Sequence, residues 1–501
     1  MLATFRHGWG SRTVRRLVRA GRLPVTGEQE LAWRLLVAVG VAYLVAQFAL
    51  FSFSRPPGWD ESVYLSQVMP DAHPMIFLPS RARGITLLIA PVTVLGGSVG
   101  QVRLFLMVAS AITVTTSFWV WIPLIGFAAP VAAVMFSFTW LALLNGSEVM
   151  PNLWAAILGL ATTGLVARRL DDGRTRHVVL AAMTLTVMAL TRPTEAAVLA
   201  GAIGFYVAVF RRTEWSLLAP LGVGLALGWL PWFIEMSIRF GGPMRALDEA
   251  AQAGNVTATA TATRSILVHL VASDGRPPDS GVPLGGVIWW GLLVSLAVVA
   301  IAKARGAGRG AAVLASTGAL ALALEYFFLV TGTAPRFMLP VYALASVPAA
   351  IGAVIIVRGD ARTHARSFAI RAVGVSVLIL LIPWAIWQGV VADRFQSRRA
   401  DSTDAFSTLG VMVRRLTNER PCSLVSPHGW PTIALTSGCR GAQLSQPRGP
   451  TAAELAELRT HGEVFVILKK PAPGGSPLTE LTPVSARGPR RMWFIYHVPP
   501  A

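Results

Sequence analysis

Apolar residues run along this chain in blocks of about 20, separated by short joints that carry arginine or lysine. The blocks fall near 31–53, 103–122, 124–144, 149–167, 178–191, 196–210, 216–234, 285–302, 311–330, 337–357 and 371–390. A helix of that length crosses a hydrocarbon core of roughly 30 Å. The pattern predicts a polytopic α-helical membrane protein with about eleven transmembrane helices. A further stretch, Ile85–Gly97, is shorter than the roughly 17 residues needed to span. Pro91 and the Gly96-Gly97 pair weaken it as a spanning helix, so it is expected to be interfacial or re-entrant.

Composition agrees with the pattern. Only 14% of the residues are charged, against about 25% in an average soluble domain. The net charge of +19 raises nucleic-acid binding as an alternative. The basic residues punctuate apolar blocks instead of covering one polar surface, which is how topology-setting charge is placed. No nucleic-acid partner is expected.

Residues 1–30 form a basic N-terminus (Arg6, Arg12, Arg15, Arg16, Arg19, Arg22), expected to be cytoplasmic. The block that follows is too long for a signal-peptide core and lacks a small-residue cleavage site. Starting inside, eleven spans place the arginine-rich joints 168–177, 211–215, 303–310 and 358–371 inside. The long loops 54–102 and 235–284 and the tail 391–501 then fall outside. The chain thus divides into the N-terminus, a membrane domain over 31–390, and a small extracytoplasmic α/β domain.

The tail alternates helix-like (Ala405–Thr417, Ala452–Thr460) and strand-like segments (Cys422–Ser426, Val464–Leu468, Met492–Val498), which predicts a short, mostly parallel sheet. An outer location permits a disulfide between Cys422 and Cys439, with two unpaired buried thiols as the alternative. No Walker-type phosphate loop appears, which argues against an ATP-driven pump. His-x-x-x-His and Cys-x-x-Cys metal spacings are also absent.

Candidate chemistry begins just past the first span, at Arg55-Pro-Pro-Gly-Trp-Asp-Glu-Ser-Val-Tyr64. Asp60 and Glu61 are adjacent carboxylates at a membrane boundary. Desolvation there raises a carboxyl pKa toward that of a working general base. An ordinary solvated acidic pair is the plain alternative. Trp59-Asp60-Glu61-Ser62-Val63-Tyr64 resembles the Trp-Asp-Glu-x-x-Tyr form of bacterial relatives of the protein O-mannosyltransferases and the aminoarabinose and arabinose transferases. These belong to the GT-C superfamily of polytopic glycosyltransferases, which use lipid-phosphate-linked sugars. The resemblance implies a GT-C-like fold, Asp60 as the base that activates the acceptor, and Glu61 beside it in the site.

Gly146-Ser-Glu-Val-Met-Pro-Asn152 resembles the place where relatives carry a second acidic residue, which implies a site role for Glu148. Thr331-Gly-Thr-Ala-Pro-Arg-Phe-Met-Leu-Pro340 resembles the superfamily's Arg-Tyr/Phe-x-x-Pro element, which implies that Arg336 holds the donor phosphate. An outer arginine also gains nothing from positive-inside bias, although it could snorkel. Arg81 and Arg83 could contact a donor phosphate or lipid headgroups. Asp60 and Glu61 could hold a divalent metal ion, as in some superfamily members; no other cofactor is expected. His73 reads as a surface residue, and Arg192 and Glu195 read as partners of each other.

The implied function is transfer, with inversion, of a sugar from a polyprenyl-phosphate-linked donor to an extracytoplasmic acceptor in a cell-envelope glycan, lipid or protein. The alternative is a flippase or transporter of lipid-linked sugar. Such a protein would place its polar features near mid-membrane, often in repeated halves.

Overall fold

The computed structural model describes residues 27–252, 284–328, 334–358, 364–418, 420–443, 449–487 and 492–500. The basic N-terminus, most of loop 235–284 and Thr331–Thr333 of the arginine motif lie outside the described residues.

The helices are α1 (Gly27–Leu50), α2 (Trp59–Ser66), α3 (Gly84–Val94), α4 (Val99–Trp119), α5 (Ile122–Ile125), α6 (Ala128–Ser137), α7 (Trp140–Asn145), α8 (Pro151–Asp172), α9 (Thr175–Thr191) and α10 (Pro193–Phe210). They continue with α11 (Leu218–Phe240), α12 (Pro243–Gln252), α13 (Leu284–Lys303), α14 (Gly306–Phe328), α15 (Leu339–Arg358), α16 (His364–Thr417), α17 (Trp430–Ser437) and α18 (Ala452–Arg459). Local chemistry sets their ends. At the start of α4, Ser98 Oγ accepts from the Gln101 amide while Gln101 Oε1 accepts from the Ser98 amide, a reciprocal cap. α8 opens on Pro151 and stops at Gly173, whose φ of 69° leaves the helical region.

Among the described residues, 8 helices are long and apolar enough to cross a membrane. The expected count of about eleven is not confirmed, because three of the expected blocks fall outside these helices. Block 124–144 is broken into α5, α6 and α7 by Gly126, at φ 54°, and by Thr139, which caps α7 by accepting from the Ala142 amide. Block 178–191 lies in α9, which at 17 residues is marginal for a span. Block 371–390 is helical throughout, inside the 54-residue α16 that runs on past position 390. Ile85–Gly97 falls on α3, 11 residues long with Pro91 inside it.

α15 packs against α6, α8, α13 and α14, and α8 also packs against α9. Almost every residue of α15 from Leu339 to Val354 is buried. Small residues allow this closeness, as expected where lipid supplies no hydrophobic drive between helices. A Cβ on Gly352 would lie 2.0 Å from the Leu296 carbonyl oxygen of α13.

The tail folds as a five-stranded sheet in the order β2-β1-β3-β5-β4, with β1 Cys422–Ser426, β2 Arg440–Gln443, β3 Glu463–Leu468, β4 Val484–Arg487 and β5 Met492–Val498. β1 pairs parallel with β2 and β3, whereas β3–β5 and β4–β5 are antiparallel. The sheet is therefore mixed, not mostly parallel. The two strands absent from the sequence reading, β2 and β4, are 4-residue edges, too brief for an alternation signal.

Gly352→Leu is expected to force α13 and α15 apart. The overpacking should cost about 1–3 kcal/mol or more and lower the thermal unfolding temperature. An unchanged melting temperature would contradict this packing.

Candidate active site

The loop after α1 reaches α2 through Pro56, Pro57 and Gly58. Gly58 is the extended N-cap of α2, and Glu61 Oε2 accepts from its amide at 2.9 Å. Successive helix positions point about 100° apart, so Glu61 and Asp60 cannot face the same way. Glu61 turns inward. Its Oε1 lies 3.0 Å from Arg103 Nη1 and accepts from the Val149 amide at 3.1 Å, while Arg103 Nη2 donates to Oε2 at 3.2 Å. Arg103 also donates to the Ser147 carbonyl at 3.0 Å. Both side chains are closed to solvent, at 1% and 3% exposure. Burial pushes the Glu61 carboxyl up, but Arg103, Arg55 and the Gly58 amide outweigh it and hold the group well below the usual carboxylate range.

Asp60 faces the other way and keeps 28% of its side chain exposed. Arg81 Nη2 donates to Oδ1 at 2.6 Å and Arg336 Nη2 to Oδ2 at 2.7 Å. Burial raises the Asp60 pKa, yet Arg336 and then Arg81 overcome it and the net direction is down. Arg81 packs 5.1 Å from the centre of the Tyr64 ring, and Arg336 lies 5.5 Å from that of Phe337. Arg336 stands on the tight turn Pro335–Met338 that leads into α15, and its buried Nε has no hydrogen-bond partner among the described residues. The structure therefore brings Asp60, Arg81 and Arg336 together.

Glu148 sits behind this group. Arg399 of α16 donates to its Oε1 at 2.9 Å, and Arg55 Nη2 approaches to 3.5 Å. Arg55 in turn donates to Gln396 at 2.9 Å. Arg399 acts on all three carboxylates, and Glu148 first of all raises its own pKa. A Cβ on Gly58 would lie 2.8 Å from Arg399 Nη2, so only glycine leaves that guanidinium its place.

Arg83 points elsewhere. It makes a two-pronged pair with Glu235 of α11, at 3.0 and 2.6 Å, donates to Gln67 at 3.0 Å, and lies 3.9 Å from the centre of the Phe77 ring. Arg192 and Glu195 pair with each other, and Tyr326 donates to the same carboxylate. His73 is exposed.

The sheet domain touches α2 directly. Thr432 of α17 donates to the Pro57 carbonyl at 3.2 Å and accepts from Ser62 at 3.3 Å, and Trp430 meets Trp59 edge-on at 5.7 Å. Cys422 and Cys439 form a disulfide that brackets α17.

A divalent metal does not fit these donors. Both oxygens of Asp60 and of Glu61 are taken by guanidinium groups. Among the described residues, no three His, Cys, Asp or Glu side chains gather as a ligand set.

Arg103, Arg399 and Thr432 were missed as site residues in the sequence. Arg103 had a usable signal: a cation inside an apolar span is costly unless it has a partner or a role. Arg399 and Thr432 had none, because each acts across a long sequence separation.

No protein-family model matches the chain, and no curated protein does. Solved structures do. ArnT from Cupriavidus metallidurans bound to undecaprenyl phosphate superposes with a TM-score of 0.67 at 14% identity, over 92% of this chain and 97% of that one. The Archaeoglobus fulgidus oligosaccharyltransferase, in complex with Zn and sulfate, gives 0.53 at 14% identity, over 86% and 67%. A mutant of the arabinofuranosyltransferase AftD from Mycobacteria gives 0.53 at 13% identity, over 93% of this chain but 42% of that one. The chain has the GT-C fold: a multi-pass membrane domain with a small C-terminal sheet domain.

Replacing Cys422 and Cys439 together by serine is expected to destabilise the sheet domain by about 2–5 kcal/mol. Thermal unfolding followed by tryptophan fluorescence should show an earlier transition, reported partly by Trp430 against Trp59. Coincident curves for variant and wild type would contradict it.

Proposed function

We propose that this GT-C-fold chain is a glycosyltransferase that moves a sugar from a polyprenyl-phosphate carrier to an extracytoplasmic acceptor. One observation supports this reading most: a half-open Asp60 carboxylate spanned by Arg81 and Arg336. Two convergent guanidinium groups beside a carboxylate suit a phosphate leaving group next to a base. The undecaprenyl phosphate in the ArnT structure is a ligand of the same chemical kind.

In this reading the donor phosphate binds between Arg81 and Arg336, and the unpaired Nε of Arg336 supplies a further donor. The arginines then divide their charge between phosphate and Asp60, so the carboxylate regains basicity. Asp60 takes the proton of an acceptor hydroxyl. The freed oxygen bonds to the anomeric carbon from the side opposite the phosphate, and the bond from that carbon to the phosphate oxygen breaks. Polyprenyl phosphate leaves with the electron pair, its charge met by the two arginines. A single displacement of this kind inverts the anomeric centre.

Glu61, Glu148 and Arg399 are positioning residues here, since Glu61 is committed to Arg103 and two backbone amides, and Glu148 to Arg399 and Arg55. Arg83 ties the first outer loop to α11. α3 lines the route by which the lipid arrives, and the sheet domain lies on the extracytoplasmic side with the N-terminus inside. A flippase is the weaker reading, because the clustered polar groups stand at the sheet-domain end of the bundle.

The test is transfer from a panel of radiolabelled polyprenyl-phosphate sugars in proteoliposomes. Asp60→Asn should lower transfer by about a hundred- to ten-thousand-fold while the protein stays folded. Arg336→Gln or Arg81→Gln should lower kcat/KM for the donor by about ten- to a hundredfold. Because the Asp60 pKa is lowered in the free protein, kcat/KM should be lost only as pH falls below the ordinary carboxylate range. It should be flat from about pH 8 to about pH 5 on its acid side. Equal transfer by wild type and Asp60→Asn would remove Asp60 from the mechanism.

A further inference from the structure

The end of the bundle opposite Asp60 carries a second constellation that sugar transfer does not use. α8 begins beside Glu148, and its 22 residues end at Asp172, about 30 Å away at a rise of about 1.5 Å per residue. Between the far ends of α8, α10 and α14 lies a cavity of about 340 Å³. At about 30 Å³ per water it has room for roughly ten, the size of a polar headgroup.

Gly306, Ala307 and Gly310 of α14 leave the space, and Ala167, Leu170 and Leu314 give it an apolar back. Tyr206 presents a phenol that is 4% exposed, and Arg211 closes α10 at the mouth. Among the described residues, neither the Tyr206 hydroxyl nor the Arg211 guanidinium has a side-chain hydrogen-bond partner or ion pair. Three neighbouring cations are committed elsewhere: Arg169 pairs with Glu214, Arg174 with Asp172, and Arg212 donates to the Ala208 carbonyl. Positive-inside bias accounts for basic residues on this face. It does not account for a cavity that an unpaired guanidinium and a buried hydroxyl both line.

We infer that this cavity binds a phospholipid headgroup, with the phosphodiester on Arg211 and Tyr206. The chemistry narrows the class. Asp171 also lines the cavity, which opposes a dianionic phosphomonoester but suits a headgroup with one negative charge and a hydroxyl or ammonium end to donate. The glycerol of phosphatidylglycerol meets that description. Acyl chains would leave past the half-buried Leu170 toward lipid.

The test is native mass spectrometry of the full chain with phosphatidylglycerol. Arg211→Gln should retain the lipid roughly tenfold less well. Gly310→Leu, which fills the cavity without touching charge, should lose it to the same degree, and Arg211→Lys should restore part of it. Arg309→Gln, on the same face but outside the cavity, should bind like wild type. All variants are compared at matched melting temperatures. Inorganic phosphate at millimolar concentration should not displace the lipid. Displacement by phosphate that depends on Arg211 would overturn the lipid assignment in favour of a soluble phosphate ligand. Equal retention in wild type, Arg211→Gln and Gly310→Leu, or equal loss in Arg309→Gln, would overturn the site itself. The readout needs no sugar transfer, so it stands or falls apart from the proposed activity.

Discussion

The buried pair of Glu61 and Arg103 is the constraint on which the site depends. Two charges closed off from water are tolerated only when each is met by a partner and by further hydrogen bonds. Here the Gly58 and Val149 amides and the Ser147 carbonyl complete the set. One carboxylate thereby ties together the α2 N-terminus, the second span and the loop before α8. The geometry of a helix then turns the adjacent Asp60 out toward Arg81 and Arg336. A side chain on a short helix needs such an anchor, since an 8-residue helix has little stability of its own.

The tail acts on this anchor from the other side. α16 carries Arg399 to Glu148, and α17 places Thr432 on the backbone that leads into α2. A domain that looks accessory in sequence therefore forms one wall of the site. Its own core is small, and the disulfide around α17 compensates by holding the segment that makes the contact.

Much of this was legible in the residues. The apolar blocks gave the membrane class, and the Trp-Asp-Glu-x-x-Tyr and Arg-Phe-x-x-Pro stretches pointed to Asp60 and Arg336, which the fold brings to 2.7 Å across 276 positions. What hydropathy did not reveal was where a block breaks. Gly126 and Thr139 divide one apolar run by local backbone geometry that a sum over residues does not register. Nor could it separate the two carboxylates of the pair. Asp60 and Glu61 are chemically alike and adjacent, and only the helix phase, with Arg103 on one side and Arg81 on the other, gives them different environments. Arg83 is the matching case among the cations, two residues from Arg81 yet committed to Glu235.

The most direct measurement is a double-mutant cycle on Glu61 and Arg103, read as sugar transfer at saturating donor together with unfolding temperature. Glu61→Gln and Arg103→Met should each abolish most transfer and destabilise the fold by about 3–5 kcal/mol, because each leaves a buried charge alone. The doubly neutral variant should recover part of both losses, a strongly non-additive result. Additive effects, or single variants that transfer as well as wild type, would contradict the claim that this pair aims Asp60.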